Sequence, residues 1–214
     1  MARQEYVSWY LGHAYTSSTI FIDEAGVNLW THRTRGRSKI GLPAVRIVGG
    51  QRGKNLSIIL AISNHLGIVH YDIQFGGTTK ERFQTFINEL SNKMRNASNV
   101  FFFIMDNATC HNLESENPLH VIKHLPPYSP ALNPVEEAFS CWKYAIKASL
   151  DIQQNQIMDT MSAAEAGKSM VEWRGDILKE ISKESLNAIT LEKCGKWYNH
   201  MIVKLACANK LEDI

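Results

Sequence analysis

An uninterrupted apolar run, residues 100–105, stops abruptly at a carboxylate, Asp106. A run of Phe and Ile without alternation reads as a strand buried on both faces, which places it in the interior of a mixed or parallel sheet. Residues 18–23 read as a first strand ending in Asp23, with Glu24, Ala25 and Gly26 turning the chain and residues 27–31 continuing in extended form. Stretches 45–48, 55–63 and 68–75 read as further strands. Glycines 49, 50 and 53 and the Leu66-Gly67 pair make short turns between them, so they are antiparallel neighbours.

After Gly76 and Gly77 the period lengthens. Thr78 and Thr79 are N-cap candidates for a helix over 81–94, whose Phe83, Phe86, Ile87 and Leu90 form one stripe. That helix is a crossover back to the buried strand. Residues 120–125 supply a short strand, stopped by Pro126 and Pro127. Asn133 caps a further helix with Pro134 in its first turn, the favoured place for both residues. In that helix Glu136 falls on the flank of the apolar side, whereas Glu137 points away. The expected organisation is a lead-in at 1–17, an α/β unit at 18–150 and a helical extension at 151–214, with Trp173, Trp197 and Tyr198 as packing anchors.

Composition adds little to the fold but something to the partner. At 214 residues and 44% hydrophobic content the chain can bury a full core. With no apolar run near bilayer length and no leader pattern, it is expected to be soluble, intracellular and without membrane contact. Its four cysteines form no close pair, which fits reduced thiols. Between Ala25 and Tyr71 there is no acid, yet Arg33, Arg35, Arg37, Lys39, Arg46, Arg52 and Lys54 all fall there. Removing these seven from 23 basic residues leaves 16 against 21 acids, so a mildly acidic body carries a basic flap. Such a flap matches a polyphosphate backbone.

Three acids, Asp23, Asp106 and Glu136, stand at the ends or starts of rigid elements. Converging carboxylates repel one another and stay ionised together only if a cation neutralises them. Hard oxygen ligands suit Mg²⁺ or Mn²⁺ rather than zinc, and two such ions could serve an in-line phosphoryl displacement. An acid after a strand is equally at home in a turn, so spacing alone leaves both readings open.

FIDEAG around Asp23, IMDNATCH around Asp106 and LPPYSPALNPVEEAFSCWK around Glu136 resemble the three catalytic blocks of DDE transposases in the Tc1/mariner and IS630 superfamily. The likeness covers roughly residues 18–150. It implies a ribonuclease H-like α/β fold, a mixed five-stranded sheet flanked by helices with a helical C-terminal extension. It also implies that Asp23, Asp106 and Glu136 are catalytic and bind two Mg²⁺ or Mn²⁺ ions, with Asn107 and His111 in support. The activity implied is DNA cleavage and strand transfer, with Arg33, Arg35, Arg37 and Lys39 on DNA. The resemblance further implies a homodimer, placed in the nucleus of a eukaryote or otherwise in the cytoplasm. Two departures stand out. The 29 residues between Asp106 and Glu136 are fewer than the family's thirty-odd, and only 22 precede Asp23, where relatives carry modules that read transposon ends. The expectation is an excised catalytic domain or a gene that lost its reader, with end recognition left to a separate domain or partner. A domesticated DNA- or protein-binding module without cleavage is the alternative.

Overall fold

The computed structural model describes residues 2–14, 18–31, 37–45, 53–95, 99–111 and 117–209. Five strands form one sheet: β1 (Ser18–Val27), β2 (Leu56–Ser63), β3 (Gly67–Phe75), β4 (Phe101–Met105) and β5 (His120–His124), in the order β3-β2-β1-β4-β5. The first three are antiparallel, whereas β4 runs parallel to both β1 and β5. The change of direction follows from the connection. A two-strand turn at Gly67, with φ of +70°, makes a hairpin, while α2 (Lys80–Lys93) carries the chain across to β4.

The remaining helices are α1 (Ala2–Trp9), α3 (Pro134–Ile152), α4 (Gln154–Ile157), α5 (Thr160–Glu165), α6 (Met170–Glu184) and α7 (Leu191–Asn209). Side chains alternate across a strand, so each strand feeds two cores. Phe21 and Ala25 of β1 and Phe102 and Ile104 of β4 pack on the side of α1, α3, α6 and α7. Ile20, Ile22, Phe101, Phe103 and Met105 pack under the Phe83, Phe86, Ile87 and Leu90 stripe of α2. Thr79 caps α2 by accepting from the Arg82 N–H, as its position predicts. Trp142, fully buried on α3, donates its indole N–H to the Ser182 carbonyl at 2.8 Å and so fastens α3 to α6. Trp173, Trp197 and Tyr198 are partly buried against the same core. Among the described residues no helix is long and apolar enough to cross a membrane.

Two expectations need correction. The chain does not turn at Glu24–Gly26: β1 runs on to Val27, because these residues pair with Ser57, Ile58 and Ile59 of β2. Asp23 therefore lies within a strand rather than at its end. Of the strand expected over 45–48, Val45 is exposed coil and the rest lies outside the described residues.

Candidate active site

Register and alternation together bring the two aspartates to one place. β1 and β4 are in parallel register to Phe21↔Ile104, and two residues further along each chain stand Asp23 and Asp106. Asp23 shares the parity of Phe21 and Ala25, and Asp106 that of Phe102 and Ile104, so both belong to the face that α3 covers. The parallel ladder ends before this level while β1 continues beside β2 alone. The gap is a cleft of about 440 Å³, lined by Asp23, Asp106 and Glu136 together with Asn107, Asn133 and Tyr128.

Asp23 is 9% exposed. Its Oδ1 accepts from the Glu24 N–H at 2.7 Å and its Oδ2 from the Asn133 side-chain amide at 2.9 Å. Burial pushes its carboxyl up to about 7; the Glu24 N–H opposes this, and the charges of Glu136, Asp106 and Glu24 add to the rise. Asn133 has a second duty. Its Oδ1 accepts from the Val135 N–H at 3.3 Å, capping α3. One amide thus starts the helix that carries Glu136 and tethers Asp23.

Glu136 lies in the first turn of α3 and is exposed to the cleft. Its neighbour Glu137 instead accepts from His200 of α7 at 2.5 Å, in keeping with the helical phase that separates the two acids.

Asp106 is half exposed and held from below. Its Oδ1 accepts from the Ala108 N–H at 2.9 Å and from His111 Nδ1 at 2.6 Å, while His124 Nδ1 donates to its carbonyl at 2.9 Å. His111 is fully buried, with its ring 4.2 Å from that of Phe83 on α2. Its Nε2 reaches Glu24 Oε2 at 2.8 Å. Both ring nitrogens thus face carboxylate oxygens, an arrangement that only the doubly protonated ring satisfies. Burial alone would lower the pKa of His111, but the hydrogen bond and charge of Glu24, with Asp106, outweigh it and raise the value. Asn107 anchors the same loop by donating to the Leu125 carbonyl at 2.6 Å.

The basic flap is only partly in view. Arg37 and Lys39 are exposed on the segment 37–45 and do not line the cleft. Arg33 and Arg35 lie outside the described residues.

Whether the acids suit a divalent cation has two answers. Their chemistry fits: hard oxygens around a buried carboxyl that its acidic neighbours and its burial keep from ionising. Their present spacing does not form a cage, since no three metal-ligating side chains among the described residues stand close enough to enclose an ion. The fit is one of donor type and charge, and the side chains would have to converge.

A mixed five-stranded sheet with acids gathered where its central strands part defines a ribonuclease H-like architecture, and solved structures agree. The catalytic domain of the Mos1 mariner transposase matches 98% of this chain and 89% of its own, with a TM-score of 0.58 at 14% identity. The Mos1 strand transfer complex matches with a TM-score of 0.60 at 15% identity, and a Mos1 paired-end complex with Mg at 0.55 and 16%. These cover 98% and 97% of this chain but only 59% and 60% of theirs, so the chain spans about three fifths of the Mos1 chains in those complexes. At such identities the likeness is one of fold. A family profile for DDE superfamily endonucleases matches residues 18–158, and the chain belongs to that family. No curated protein sequence is significantly similar to it.

Three participants escaped the reading of the sequence. Glu24 pairs with a histidine 87 positions away, and Asn133 acts on Asp23 from 110 positions away; neither bond has a local signature. Arg3 of α1 donates to the Tyr128 carbonyl at 2.8 Å and to the Ser129 hydroxyl at 3.0 Å, fixing the cleft's proline-rich wall.

Proposed function

We propose that the chain is the catalytic part of a DNA transposase that hydrolyses a phosphodiester bond and then transfers the freed 3′ end to target DNA. The observation that carries this reading is that Asp23, Asp106 and Glu136, contributed by β1, the end of β4 and α3, line a single cleft. These three side chains would hold two Mg²⁺ or Mn²⁺ ions, whose chemistry is to neutralise the carboxylates and to activate the attacking oxygen as Lewis acids. The protein's own part is positional. Asn133 orients Asp23, His111 and the Ala108 N–H fix the Asp106 carboxylate, and Asn107 ties that loop to the chain after β5. Arg33, Arg35, Arg37 and Lys39 would hold backbone phosphates, contacts that give affinity without reading sequence. Action as a homodimer on DNA fits the paired-end form of the Mos1 complexes.

A second reading has one observation in its favour. The acids do not stand in a metal-enclosing cluster and His111 already occupies one oxygen of Asp106, as in a domesticated DNA-binding module that no longer cuts. Plasmid nicking in Mg²⁺ or Mn²⁺, with and without EDTA, separates the two. The catalytic reading expects nicking that EDTA stops and that Asp106→Asn and Glu136→Gln abolish without weakening DNA binding. Nicking by Asp106→Asn at the normal rate would overturn it.

A further inference from the structure

We propose that Tyr128 is a stacking platform for one unpaired nucleobase beside the bond that is cut, an assignment that rests on the nuclease reading above. Tyr128 is the one non-glycine residue among the described residues with a positive φ, +53°. That conformation is unfavourable for a bulky side chain, and glycine or asparagine would hold it at less cost. Its ring gives nothing back through packing. It is 92% exposed, and neither ring nor hydroxyl has a partner among the described residues.

The backbone beneath the ring is nevertheless built to hold it there. Arg3 binds the Tyr128 carbonyl and the Ser129 hydroxyl, and that hydroxyl in turn donates to the Pro127 carbonyl at 3.1 Å. Pro127 and Pro130 flank the pair, and Ser129 is buried. A strained, solvent-facing aromatic on a braced loop points from the outlier to a role in binding.

Its place defines the ligand. The ring lines the same cleft as Asp23, Asp106 and Glu136. A strand whose phosphate is drawn to those acids through cations must pass its neighbouring sugar and base along the cleft wall, where Tyr128 carries the only aromatic ring among the lining residues. Every base has a π-face, so such a platform tolerates any sequence but requires the base to be unpaired. A base in a duplex is already stacked and cannot use it.

The test uses the whole chain and a short DNA duplex whose 3′-terminal nucleotide is an unpaired 2-aminopurine, with Ca²⁺ in place of Mg²⁺ so that the acids keep an oxygen-seeking cation for the phosphate, and a gel confirms that the strands stay intact. A fully paired duplex of the same length is the control. Wild type and Tyr128→Phe should quench the fluorophore, whereas Tyr128→Ala and Tyr128→Gly should not. Those two variants should lose about tenfold in affinity for the frayed duplex and keep that for the paired one. Tyr128→Gly should melt no lower than wild type, since it removes the unfavourable φ, which separates a lost platform from a lost fold. Absence of quenching by wild type, or equal weakening on both duplexes, would overturn the proposal. Mg²⁺-dependent nicking by wild type, measured separately, reports on the nuclease reading: quenching without nicking leaves the platform standing, and nicking without quenching leaves the nuclease.

Discussion

The side-chain amide of Asn133 spans two structural tasks, donating to Asp23 Oδ2 at 2.9 Å while accepting from the first turn of α3 at 3.3 Å. Asn133→Ala removes both bonds and should cost about 1–2 kcal/mol through the cap, with a further loss of activity as Asp23 swings free. Asn133→Asp keeps the cap but sets a carboxylate against Asp23. It should therefore be less stable than the alanine variant at pH 8 and recover by pH 5, below the folded value of about 7 at which Asp23 takes up its proton; urea melts at the two pH values decide, and a gap that ignores pH would refute the tether.

Asp23 makes the apo protein sensitive to pH. Its folded value of about 7 exceeds the ordinary 3.8, so the folded state binds the extra proton between those limits. The stability that Asp23 contributes is fullest below about pH 4, falls through pH 7 and stays low above, at about 1.4 kcal/mol per unit of difference and so a few kcal/mol. A bound cation reverses the penalty. Saturating Mg²⁺ should raise the melting temperature by about 5–10 °C at pH 8 and hardly at pH 5. Asp23→Asn should melt higher than wild type at pH 8 without Mg²⁺ and show no such response; an equal response at both pH values would count against the site.

His111 ties Asp106 to Glu24 across the two faces of the sheet. Because its folded value is raised, the stability it contributes is present below about pH 6.5 and lost as pH climbs through that folded value. His111→Gln leaves Glu24 without its buried partner and Asp106 without its brace. The Mg²⁺ concentration needed for half-maximal nicking should rise by about tenfold or more. A Mg²⁺ titration that superimposes on wild type would remove His111 from the site.

Trp142 bears on stability rather than chemistry. Trp142→Ala should cost about 3–5 kcal/mol, visible as a lower urea midpoint, and should loosen α6 because the Ser182 carbonyl loses its donor. Trp142→Phe should recover most of the apolar part and not the hydrogen bond.

Much of this arrangement was legible in the residues because the deciding forces are local. Thr79 and Asn133 cap where their side chains predict, and the stripes on α2 and α3 bury as their periods require. The run before Asp106 is an interior strand, as an unalternating apolar segment should be. Reading failed where a distant partner decides. Glu24–Gly26 look like a turn, yet the backbone of β2 is there to take their hydrogen bonds. Nothing in the text around Glu24 announces His111, and no propensity places Tyr128 at a positive φ.

The unequal lengths of β1 and β4 have a consequence for what variation this scaffold can bear. The last backbone bond between β4 and the chain after β5 is Leu125 N–H to the Met105 carbonyl, and the next carbonyl, that of Asp106, is taken by His124 instead. Pro126 and Pro127 follow Leu125 and bring no N–H, so main chain cannot carry the ladder further across the mouth of the cleft. Insertions on the far edge of β3 should therefore be tolerated, whereas a single residue added between Met105 and Asp106 should turn the Asp106 carboxylate from the α3 side of the sheet to the α2 side and so take it out of the cleft.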